Sequence, residues 1–139
     1  MSEKSTTPDL TELTRRFIET GNQRDLDAAM SFFAPDAVWE SMGMATGFEG
    51  IAAIRGFFED FTGAYEAYRV EPEEILDLGN GVTFSVIVQQ GRPAGSAAHV
   101  QMRFASVTTW VDGLIERNTN YTDIDEGRVA AERLAEERG

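Results

Sequence analysis

The sequence predicts an α+β fold. The expected form is a cone-shaped roll: a strongly curved, mostly antiparallel sheet, three N-terminal helices that enclose a pocket with it, and a further helix at the C-terminus. Three observations carry this reading. Apolar residues recur at helical spacing up to Phe61 and at a spacing of two from Tyr68 onward. Tight-turn signals at Gly79-Asn80-Gly81 and Asp112-Gly113 separate the period-two stretches, as in an antiparallel meander. Helices gathered before strands indicate helices segregated onto one face of a sheet, not an alternating parallel architecture. A curved sheet closed off by helices leaves a hollow, and such hollows are the default ligand sites of small domains.

The chain of 139 residues suits one domain, expected over residues 8–138 after a disordered polar tail at 1–7. At this length roughly 68–70% of the unfolded surface is buried on folding, enough for a core with a cavity in it. The net charge of −12 repels phosphate backbones and anionic lipid, so neither nucleic acid nor membrane is an expected partner. The absence of cysteine excludes disulfides, thiol chemistry and cysteine zinc sites. No N-terminal apolar core of the signal-peptide kind and no membrane-length apolar run are present, so a cytoplasmic protein is expected. One histidine and scattered carboxylates give no metal-ligand spacing, and no phosphate loop or nucleophile elbow occurs; no metal and no cofactor are expected.

The elements follow in order. Thr7-Pro8-Asp9 reads as a helix start with Thr7 as cap, and Leu10, Leu13, Phe17 and Ile18 share a face until Gly21-Asn22. Asp25 caps a second helix with Leu26, Ala29, Met30 and Phe33 inward, stopped by Pro35. Ala37 to Met42 reads as a strand: Trp39 and Ser41 point one way, Val38, Glu40 and Met42 the other. After Gly43, Gly47 and Gly50 comes a third helix with the stripe Ile51, Ile54, Phe57, Phe58 and Phe61, fraying by Gly63. Tyr68 to Leu78 is a strand in which Pro72 marks an edge or a bulge. Val82 to Gln90, Ala97 to Trp110 and Leu114 to Asp123 complete the sheet. In the longest of these, Val100, Met102, Phe104, Ser106 and Thr108 share one face, and His99, Gln101 and Arg103 the other. Asp125 is the expected cap of the last helix, anchored by Val129 and Leu134.

The order of elements, with the segments Phe17-Ile18-Glu19 to Asp36-Ala37-Val38-Trp39-Glu40 and Val111-Asp112-Gly113-Leu114-Ile115-Glu116 to Tyr121-Thr122-Asp123, resembles the SnoaL-like branch of the nuclear transport factor 2-like superfamily. The resemblance runs from about Pro8 to Arg138. It implies the cone-shaped fold, but not one activity, because the fold hosts isomerases, cyclases, dehydratases, epoxide hydrolases and binding modules. Set against the ketosteroid isomerases of the superfamily, their oxyanion tyrosine falls on Phe17, their general-base aspartate on Ser41 and their oxyanion aspartate on Ser106. None of these keeps the needed group, and serine is a poor base near neutral pH. A one-residue gap would bring Glu40 to the base position instead. The resemblance further implies that Phe17, Trp39, Ser41, Phe104, Ser106, Asn118 and Thr122, with Asn120 beside them, face the cavity. That is an apolar cup with neutral hydrogen-bonding groups, suited to a small, mostly apolar, oxygenated molecule.

Three residues are the catalytic candidates: Glu40, His99 and Asp123. A buried Glu40 could serve as acid or base, but strand alternation turns it away from the cavity, which is the favoured reading. SnoaL-type cyclases resemble this chain and use a histidine and an aspartate; here a structural or interface role is favoured for His99. Asp123 is favoured as a cap or ion-pair partner of Arg103 or Arg117. Tyr65 and Tyr68 flank the exit of the third helix, where packing is favoured over ligand contact. The function read from all this is binding of an apolar oxygenated metabolite, with an isomerase, cyclase or dehydratase-type step if those three residues serve it. The alternative is a non-catalytic ligand-binding or protein-association module. Pairing through the outer sheet face makes a homodimer the expected oligomer.

Overall fold

Six strands form one sheet in the computed structural model, which describes residues 9–42 and 47–139. The elements are α1 (Leu10–Asn22), α2 (Leu26–Met30), β1 (Phe33–Ser41), β2 (Gly47–Glu49), α3 (Ile51–Gly63), β3 (Tyr65–Gly79), β4 (Val82–Pro93), β5 (Val100–Val111), β6 (Leu114–Tyr121) and α4 (Ile124–Arg138). The strand order is β2-β1-β6-β5-β4-β3. β3 to β6 are an antiparallel meander, and β1 returns parallel to β6 with Trp39 beside Asn118 and Ser41 beside Asn120. The mixed α+β fold expected from the sequence is present.

Local chemistry explains most boundaries. Gly79, Asn80 and Gly81 all take positive φ (87°, 58° and 78°), which the tight β3–β4 turn requires and few other residues tolerate. β3 is an edge strand and its register shifts between Pro72 and Glu74, so the missing N–H of Pro72 is accommodated both ways at once. Asp25 caps α2 by accepting from the Ala28 N–H.

Several boundaries differ from the sequence reading. The cap of α1 is Asp9, whose Oδ1 accepts from the N–H groups of Thr11 and Glu12 at 3.1 and 3.2 Å; Thr7, Pro8 and the expected tail lie outside the described residues, as does Gly43. α2 ends at Met30, and Phe33 opens β1 instead of closing the helix, so Pro35 lies within the strand. β2 is an added strand of three residues, too short to show a period. β5 starts at Val100, leaving His99 in the preceding loop. α4 is capped by Asp123, not Asp125, and Val129 is 53% exposed; the helix is anchored by Ala131 and Ala135, with Leu134 packed beside them.

The largest departure concerns helix placement. α1 to α3 lie on one face of the sheet, where Phe33, Ala37, Ile54, Trp110 and Ile115 form a core with Phe17 and Trp39. α4 lies on the opposite face, over Val82, Phe84, Val86, Ala105 and Val107. The helices are therefore not all on one side. Small residues let α4 approach closely: a Cβ on Gly127 would stand 2.8 Å from the Ala105 Cβ and 3.2 Å from that of Tyr121.

The end of α1 is tied to the edge strand. The Asn22 side chain donates to the Val70 carbonyl at 2.8 Å and accepts from the Val70 N–H at 2.7 Å, as a neighbouring strand would. This holds α1 across the sheet as a roof.

Gly127→Ala is expected to lower stability by about 1–3 kcal/mol, because overpacking against Ala105 outweighs the roughly 1 kcal/mol gain in helix propensity. A drop in thermal midpoint checks this, and a rise would show that α4 can move off the sheet freely.

Candidate functional site

Between the roof of α1–α3 and the sheet lies a cavity of about 390 Å³. Its chemistry follows from strand pairing. On β5 and β6, Ser106 stands opposite Asn120 and Thr108 opposite Asn118; across the parallel pair, Asn118 stands beside Trp39 and Asn120 beside Ser41. Alternation then puts two rows on the inner face, Thr108–Asn118–Trp39 and Ser106–Asn120–Ser41. Ser85 of β4 extends the second row beside Ser106. All of these side chains border the cavity.

The aromatic wall is cross-braced. Trp39 meets Phe58 edge-on at 5.0 Å between centroids, and Phe17 meets Phe33 edge-on at 5.5 Å and lies tilted against Trp39 at 6.1 Å. Such edge-to-face pairs stiffen a wall without filling the space before it. Ile87, Phe104 and Met102 supply the facing apolar surface, with Met42 and Met102, each 48% exposed, at the rim.

The polar patch has a definite hydrogen-bond direction. Asn118, 2% exposed, accepts at Oδ1 from Ser106 Oγ at 2.6 Å and from Thr108 Oγ1 at 2.8 Å, and its amide donates to Asn120 Oδ1 at 3.0 Å. The two short distances are those of O–H donors and the longer one that of an N–H donor. Both hydroxyl protons are therefore spent on Asn118, so Ser106 and Thr108 offer only acceptor lone pairs to a guest. The Asn120 amide has no acceptor among the described residues and is open to a guest as a donor, beside the Ser85 hydroxyl, which borders the same cavity. No fully buried side-chain polar atom among the described residues lacks a partner, so that donor retains accessible surface.

The sequence candidates separate into two groups. Phe17, Trp39, Ser41, Phe104, Ser106, Asn118, Asn120 and Thr122 all border this one cavity, Thr122 at its exposed edge. The catalytic candidates Glu40, His99 and Asp123 are not brought together. Glu40 borders the cavity, but its carboxylate is on the other side of β1, in register with Thr119. Its Oε2 accepts from Arg117 Nη1 at 2.6 Å and Thr119 Oγ1 at 2.9 Å. His99 is exposed ahead of β5. Asp123 accepts from the Glu126 N–H at 3.0 Å as the cap of α4, and Arg103 pairs with Glu73 instead. Among the described residues no three His, Asp or Glu side chains gather as a metal site would require.

Sequence reasoning passed over Ser85 and Arg24, and favoured packing over ligand contact for Tyr68. Ser85 could have been found only from its register with Ser106. Tyr68 lines the far part of the cavity, and burial pushes its hydroxyl up to about 12, partly opposed by the Arg24 charge nearby. Arg24 donates to the Thr62 and Tyr65 carbonyls at 3.1 and 2.9 Å, closing the end of α3.

The sequence matches the family model of the SnoaL-like domain over residues 14–118. No curated protein matches it. Solved structures share the fold. A polyketide cyclase candidate from Sinorhizobium meliloti is 26% identical, with a TM-score of 0.66 over 78% of this chain and 93% of that one. A Mycobacterium tuberculosis protein in complex with estradiol-17beta-hemisuccinate is 19% identical, with a TM-score of 0.72 over 82% and 93%. An LEH-like epoxide hydrolase of Mycobacterium tuberculosis is 16% identical, with a TM-score of 0.70 over 87% and 90%.

The buried Tyr68 gives a pH prediction. Its folded pKa exceeds the unfolded one, so the protonated form is favoured on folding; that stability is complete below about pH 10 and is lost as pH rises toward about 12. Thermal midpoints across that window should fall less steeply for Tyr68→Phe than for the parent. Equal slopes would mean that the phenol is not buried.

Proposed function

The chain belongs to the SnoaL-like domain family, and from that premise we propose that it binds a small, mostly apolar, oxygenated molecule in the cavity between sheet and helices. The observation that carries the reading is the polar patch on an otherwise apolar wall: an outward donor on Asn120, the Ser85 hydroxyl beside it, and acceptor oxygens on Ser106 and Thr108. Such a patch fits a carbonyl or hydroxyl oxygen. Burying each CH₂ of a ligand is worth about 0.8 kcal/mol, whereas a neutral hydrogen bond nets about 1 kcal/mol. The wall therefore sets affinity and the patch sets orientation. That a protein of this fold carries estradiol-17beta-hemisuccinate supports the ligand class.

Binding is favoured over acid–base catalysis through Glu40, His99 and Asp123, since one carboxylate is held by Arg117, one caps a helix and the imidazole is exposed. Association through the outer sheet face, the route expected for a homodimer, is less favoured as the main role because α4 covers the apolar centre of that face. Among the described residues, no helix is long and apolar enough to cross a membrane.

Quenching of Trp39 fluorescence by biphenyl and by para-phenylphenol tests the reading. Para-phenylphenol is expected to bind more tightly, with Asn120→Ala reducing its affinity about fivefold, as the loss of one hydrogen bond predicts, and Glu40→Gln leaving it within about twofold because that pair is half-exposed. Loss of binding in Glu40→Gln with none in Asn120→Ala would reverse the roles assigned here.

A further inference from the structure

The Asn118–Asn120 patch accounts for one end of the cavity. The other end carries the Tyr68 hydroxyl, which no bond of the fold uses, and the Arg24 guanidinium, which the fold holds in place. Tyr68 points its hydroxyl toward α1, 3.9 Å from where a Cβ on Gly21 would stand. The hydroxyl has no hydrogen-bond partner among the described residues, and it retains accessible surface. Arg24 stands beside it. Its backbone is left-handed (φ 56°), uncommon for a residue with a side chain, and its guanidinium is fixed by the Thr62 and Tyr65 carbonyls. Arg24 is thus a fixed cation at this end, where the Asp25 carboxylate also borders the cavity while it accepts from the Ala28 N–H.

The two ends are well separated. Tyr68 pairs with Gly91, while Ser85 pairs with Ser106, six residues further along β4. That is about 20 Å of strand, shortened by the reach of the side chains inward. Between them Val70, Ile87 and Phe104 line the cavity, with Gln89 beside Val70 at the Tyr68 end. An apolar span with a polar anchor at each end selects for length as well as polarity.

We infer that Tyr68 and Arg24 form a second anchor, which takes a carboxylate on the far end of an elongated apolar ligand whose near-end oxygen sits at Asn118–Asn120. The phenol donates one hydrogen bond to the carboxylate, and Arg24 supplies the opposing charge. The inference rests on the cavity-binding reading and adds to it a ligand class: a flat or extended apolar acid with a hydroxyl or carbonyl at the opposite end.

The test compares para-phenylphenol with the same biphenyl carrying a carboxylate at its far para position, by tryptophan quenching and calorimetry. The parent protein is expected to bind the acid about tenfold more tightly, the value of a hydrogen bond to a charged group. Tyr68→Phe, which removes no bond that holds the fold, is expected to erase that advantage and leave para-phenylphenol within about twofold. Asn120→Ala is expected to weaken both probes. If Tyr68→Phe leaves the advantage intact while Asn120→Ala still weakens both, the second anchor is wrong and the cavity reading stands. If neither probe responds to Asn120→Ala, the cavity reading falls as well.

Discussion

Two hydrogen bonds between the Asn22 side chain and the backbone of Val70 set the geometry on which the cavity depends. They use an amide to imitate a strand partner, and so join the end of α1 to the sheet edge at a fixed height. Arg24, two residues on, fastens the following turn to the end of α3. α1 and α3 are thus suspended from the rim of the sheet instead of collapsing onto its face. The hydrophobic effect favours closing such a gap, because every Å² of apolar wall left uncovered forfeits about 25 cal/mol. Rim bonds of this kind, together with rings braced edge to edge, oppose that closure.

The same sheet uses its two faces for different tasks. The outer face is packed tightly by α4 through Gly127, Ala131 and Ala135, small residues that bring the helix axis close. The inner face carries the serine, threonine and asparagine rows and the aromatic wall that border the cavity. Ion pairs follow the outside: Glu40 with Arg117, Glu73 with Arg103 and Glu74 with Arg128 are all partly exposed. Charge is kept away from the polar patch, which stays neutral. A neutral patch orients a guest without the desolvation cost of a buried charge.

Much of this was legible in the sequence, for a definite reason. The family resemblance implied that Trp39, Ser41, Phe104, Ser106, Asn118 and Asn120 face the cavity, and the period of two along β1, β5 and β6 is why one phase on each strand keeps them on one face. Pro72 and the Gly79-Asn80-Gly81 turn were readable because proline lacks a donor and glycine tolerates positive φ. What failed was whatever depends on partners distant in the chain. Phe33 fits helical spacing from Leu26 as well as it fits a strand, and only pairing with Ile115 decides. Asp123 and Asp125 both satisfy a capping pattern. The direction of the Asn118 network, the anchor at Tyr68 and the side of the sheet taken by α4 depend on register between strands, which no local pattern encodes.

The central claim is that a guest enters the cavity and reads the Asn118–Asn120 patch. Side-chain amide and indole resonances, followed by nuclear magnetic resonance while para-phenylphenol is added, address this directly. The account predicts saturable shifts of the Asn118 and Asn120 amides and the Trp39 indole, with α4 resonances unmoved. Shifts confined to α4 and the outer sheet face, with those three silent, would contradict it.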